Sequence, residues 1–140
     1  ILTQAQLKNR ILMLTSNNYD SLHDYSFLKN VRSLTFSGYF LNKHLEELVP
    51  HVTNLRSISF IHCSISHLNG LGEIPILRVD NCHGLADISA LGRNRSVFLR
   101  GCYELRVVDS LATVPVVTII ACRSIKSFES LKNVPRLKLD

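Results

Sequence analysis

Apolar residues along this chain follow two rhythms in turn. In "VPVVTIIAC" (114–122), Val117 and Ile119 stand two apart, the alternation of a short strand with one buried face. In "RSIKSFESL" (123–131), Ile125, Phe128 and Leu131 stand three apart. That step fits a tight 3₁₀-like or extended return, whose side chains line up on one side. Neither a helix nor a strand accounts for the whole stretch. It predicts a strand, a turn near Cys122, and a return.

The same pair of rhythms recurs. Cys82, Cys102 and Cys122 are separated by 20 and 20 residues, and Cys63 precedes Cys82 by 19. Before each cysteine two alternating positions are apolar: Ile58 and Phe60, Leu77 and Val79, Val97 and Leu99, Val117 and Ile119. After each, apolar residues fall at steps of three, as in Leu85, Ile88 and Leu91, or Leu105, Val108 and Leu111. After Cys63 these steps begin one residue early, at Ile65, Leu68 and Leu71, which accounts for the 19. Leu34 and Phe36 with Tyr39, and Leu12 and Leu14 with Asn17, fit the same frame further back. Val134, Leu137 and Leu139 open a seventh unit. Seven strand-like segments at this spacing define a repeat protein. A single unit cannot bury its apolar edge alone, so neighbours must stack into one continuous core beneath a parallel sheet.

The segments "LRSISFIHC" (55–63), "IPILRVDNC" (74–82) and "VPVVTIIAC" (114–122) resemble the L-x-x-L-x-L-x-x-N/C signature of leucine-rich repeats. The returns "HGLADISAL" and "YELRVVDSL" resemble those of its short-repeat members. The resemblance covers residues 9–140 and implies an α/β repeat fold: a solenoid with a parallel β-sheet on the concave side and extended, 3₁₀ or short helical returns on the convex side. The expected organisation is a single domain over 1–140, with about six repeats and a truncated seventh. Both ends cut through the pattern and predict a longer chain.

Three stretches depart from the frame. "FLNKHLEELVPHVTN" (40–54) is longer and carries Leu41, Leu45, Leu48 and Val52 at helical steps. It predicts a helix starting near Asn42 and stopped by Pro50. Asn9 and Asn94 stand where the signature has its first leucine, so those two strands are expected to enter more loosely. Residues 1–8 fit no complete repeat and read as the tail of an earlier unit or part of a cap.

The chain's 140 residues suffice for one buried core, and 46% hydrophobic against 19% charged residues describes an ordered domain. No apolar run is long enough to span a membrane. The net charge of +5 raises a nucleic-acid surface, but no stretch has more than two adjacent cations, and clustering carries that signal. The four cysteines fall in one column and read as a buried structural ladder. The regular spacing argues against a disulfide framework, and ligands in a straight column cannot converge tetrahedrally on zinc. Four unpaired thiols point to a reducing, intracellular compartment.

No nucleophile, base and orienting group can be named together, so no enzyme, cofactor or metal site is expected. The chain has no HExxH, CxxC or GxSxG, and "GLGE" (70–73) lacks the lysine of a phosphate loop. Asp20, His23 and Asp24 read as solvated residues of an outer loop. "NRS" (94–96) matches a glycosylation acceptor, but Asn94 is expected to turn toward the core.

Function is expected on the open face of the sheet. Its early strands offer serine and threonine. Its later strands offer Ile61, Ile76, Phe98, Val116, Thr118 and Ile120 with Arg78, Asp80 and Arg100 among them. Apolar side chains ringed by charge mark interaction patches, and aromatic and arginine anchors are frequent hot spots. The expected function is a non-catalytic protein–protein interaction module that docks a partner on this face. The alternative is a structural, scaffold segment of a larger protein or assembly, with nucleic-acid binding behind both.

Overall fold

The computed structural model describes residues 11–15, 25–52 and 54–140, the side chain of Phe27 excepted. The expectations placed on residues 1–8, on Asn9 and on Asp20, His23 and Asp24 lie outside the described residues.

Seven strands form one all-parallel sheet in sequence order: β1 (Ile11–Thr15), β2 (Ser33–Ser37), β3 (Ser57–Ile61), β4 (Ile76–Asp80), β5 (Ser96–Arg100), β6 (Val116–Ile120) and β7 (Arg136–Leu139). From β2 to β7 the chain leaves the sheet after each strand, passes beneath it and re-enters as the neighbouring strand. The register is constant, so equivalent positions stand side by side: Leu77 pairs with Val97, Val97 with Val117, and Val117 with Leu137. Both inward columns are buried from β1 through β6, for example Leu34, Phe60, Val79 and Leu99. Leu139, on a strand with one neighbour, is 41% exposed.

The returns follow the three-residue rhythm. Leu85 N–H donates to Cys82 O (3.2 Å), Leu91 to Ile88 O (3.0 Å) and Leu111 to Val108 O (3.0 Å). These i→i+3 bonds are 3₁₀ geometry, which aligns the apolar side chains on the core side. Full 3₁₀ turns form at Ser26–Asn30, Asp109–Thr113 and Glu129–Leu131. Successive returns are also tied sideways, as where Ala86 N–H donates to Ser66 O (3.0 Å).

The long return holds the helix α1 (Asn42–Leu48), which buries Leu45 and Leu48. It ends before Pro50 and passes into a 3₁₀ turn, Val49–His51. Pro50 lies in the first turn of that segment, where its missing N–H leaves no bond unmade.

Two local expectations are corrected. Tyr39, placed in the cysteine column by its spacing, is 82% exposed, and Phe40 takes the buried place. Gly38 at φ 95° carries the chain one residue further before it turns. The Phe40 ring then stacks on Phe36 with centroids 4.0 Å apart. Asn94 does not loosen its strand. It is 2% exposed and donates to Leu71 O (3.1 Å) and Ile74 O (2.6 Å) while accepting from Gly92 N–H (3.3 Å). The amide fills the leucine site and satisfies carbonyls of the preceding turn.

Candidate binding face

The side chains between and flanking the inward columns form three outward rows across the sheet. The middle row runs Met13, Thr35, Ser59, Arg78, Phe98, Thr118 and Lys138. The row before it contains Ile76, Ser96, Val116 and Arg136, and the row after it Ile61, Asp80, Arg100 and Ile120. All nine expected partner-binding residues therefore share one face, on β3 to β6.

They are not equally open. Ile76 is 48% exposed, whereas Ile61, Phe98, Val116, Thr118 and Ile120 are half-buried by their neighbours. Asp80, grouped above with the open charges, is 6% exposed. The cause is a clamp. Arg100, on the adjacent strand, meets it with two bonds, Nε to Oδ1 (2.9 Å) and Nη2 to Oδ2 (2.6 Å). Arg78 Nη2 reaches Oδ2 (3.4 Å), and Asn81 Nδ2 donates to Oδ1 (3.0 Å). Burial pushes the Asp80 carboxyl up, but the hydrogen bonds and charge of Arg100, then of Arg78, outweigh it and hold it below the ordinary carboxylate value. Arg78 also lies over the Phe98 ring, 4.0 Å from its centroid. Phe98, Arg78, Asp80 and Arg100 thus form one connected group that holds its long side chains in place.

The spacing placed Arg78 beside Phe98 and Asp80 beside Arg100, but it did not show that Asp80 closes the group. Its neighbour Asn81 carried no signal at all. Asn81 sits at φ 54°, in the turn that ends β4. The equivalent turns place His62 at 54°, Gly101 at 65° and Ala121 at 53°. An added Cβ at Gly101 would run into the Asn81 side-chain oxygen.

The cysteine column is buried and all four thiols are free. Each sulfur reaches the carbonyl two residues earlier, as Cys63 Sγ does to Ile61 O (3.5 Å). Cys63 and Cys82 also reach back to the carbonyls of Phe36 (3.5 Å) and Phe60 (3.7 Å). In turn, Cys63 N–H donates to Cys82 Sγ (3.3 Å). The neighbouring cysteine and burial together push the Cys63 and Cys102 thiols up, so both are protonated at neutral pH. Among the described residues, no three His, Cys, Asp or Glu side chains group as metal ligands. No helix among them is long and apolar enough to cross a membrane.

No family model, curated protein or solved structure matches this chain.

Proposed function

We propose that the chain is a leucine-rich-repeat solenoid whose open sheet face docks a protein partner, without catalysis. The constant register of seven parallel strands, with a three-step return after each of β3 to β6, supports the repeat reading. The observation that carries the docking reading is the fixed group of Phe98, Arg78, Asp80 and Arg100 beside the exposed Ile76. Ordering long side chains in advance lowers the entropy lost on binding, and aromatic and arginine anchors concentrate binding energy.

The test compares proteins cross-linked to the wild-type chain with those cross-linked to Ile76→Ser/Phe98→Ala. Arg100 is left in place because its removal strips the buried Asp80. Val107→Ala, on the returns and 62% exposed, is the control. Partners lost with the face variant and kept with the control support docking. Partners held equally by both variants refute it.

A second reading, a spacer inside a larger assembly, draws on β1, where Ile11 and Met13 are 73% and 53% exposed at the uncharged end of the face. It predicts that burying contacts centre on those residues and leave Phe98 untouched.

A further inference from the structure

The open face divides by charge. Its outward side chains on β1 to β3 are uncharged: Ser, Thr, Ile and Met only. On β4 to β7 four cations, Arg78, Arg100, Arg136 and Lys138, meet two carboxylates, Asp80 and the adjoining Asp140. Asp80 is already spent, since two guanidiniums share it.

Cations flank β6 on both sides. Its outward residues Val116, Thr118 and Ile120 carry no charge. Arg100 stands next to Ile120 on one side, and Arg136 and Lys138 stand next to Val116 and Thr118 on the other. Arg78 and Arg100 remain nearly half exposed, with side-chain accessibilities of 44% and 45%. Each guanidinium has five N–H donors and uses only one or two of them on Asp80. The unused donors point at a ligand that brings acceptors.

Resting on the docking reading above, we infer that the partner is an acidic protein segment. It presents an apolar side chain to Val116 and Ile120 and carboxylates to the cations on either side. The aliphatic centre selects a peptide over a nucleic acid. Binding single strands relies on aromatic stacking platforms. Phe98 is the one outward aromatic on the described strands, and Arg78 occupies one side of its ring. Seven strands about 4.8 Å apart make a face about 29 Å across, which an extended peptide of roughly nine residues covers.

The test selects binders from a displayed library of random peptides, roughly 12 residues long to exceed that span, on the full chain. An oligothymidylate of roughly 16 nucleotides, the upper end of a single-strand site, is run beside it. Winning peptides are expected to carry two or more Asp or Glu around an aliphatic or aromatic residue. Arg136→Glu/Lys138→Glu, both exposed on β7, should weaken them about ten-fold at about 0.05 M salt. The loss should shrink at about 0.5 M, where the Debye length falls below about 5 Å.

Winners that need Ile76 and Phe98 but carry no acidic excess would overturn the acidic assignment and leave the docking face standing. Winners indifferent to Ile76→Ser/Phe98→Ala, or no winners, would remove both. Oligothymidylate binding that is tighter than the peptides' and lost in the charge-reversed variant would replace the protein partner with a nucleic acid.

Discussion

Exchanging glycine and alanine one repeat apart tests the turn that ends each strand. Gly101 and Ala121 occupy equivalent positions at φ 65° and 53°. An alanine in the left-handed region costs roughly 1–2 kcal/mol. Replacing a glycine returns about 0.5–1 kcal/mol through the unfolded chain. The backbone balance is therefore about 0.5–1 kcal/mol against alanine at either site. At 101 the new Cβ must also displace the Asn81 amide, which breaks its bond to Asp80 and costs about 1 kcal/mol more.

Gly101→Ala should accordingly lose about 2 kcal/mol, and Ala121→Gly should gain about 0.5–1 kcal/mol. At this length the first change lowers Tm by roughly 7 °C. Urea titrations with unchanged slopes would read both values. If Gly101→Ala matched the wild type, or Ala121→Gly were destabilising, the account of these turns would fail.

Asn94→Ala should cost about 2–3 kcal/mol, because Ile74 O is left buried without its short bond and two more bonds are lost. A urea midpoint within error of wild type would contradict this. The Asp80 carboxyl has a folded pKa below its unfolded one, so its contribution is complete above about pH 4. It is lost as pH falls through the lowered folded value. Asp80→Asn should therefore be less stable at neutral pH and lose less of its stability on acidification, measured by urea midpoints from neutral to acidic pH.

Strand positions and register were legible because alternation has a period of two and the cysteines fix its phase. The core followed directly, since Val117 and Ile119 face inward and are buried. The Tyr39 frame failed because the spacing is blind to backbone conformation: Gly38 shifts the turn by one residue. Asn94 was seen to turn inward, but its hydrogen bonds lie with Leu71 and Ile74, more than a turn away in sequence. The face could be read as columns of residue types. The burial of Asp80 could not, because it comes from two arginines and an asparagine closing over one carboxylate.

The strands touch chiefly the strands beside them, β1 to β2, β2 to β3, and onward to β7. Among the described residues, the first and last strands lie at opposite edges of the sheet. Pulled from its ends, such a stack is expected to open as a zip rather than a knot, shedding one turn at a time and leaving the rest intact. Damage at one edge therefore stays local, and the charged half of the face can outlast the loss of the opposite rim.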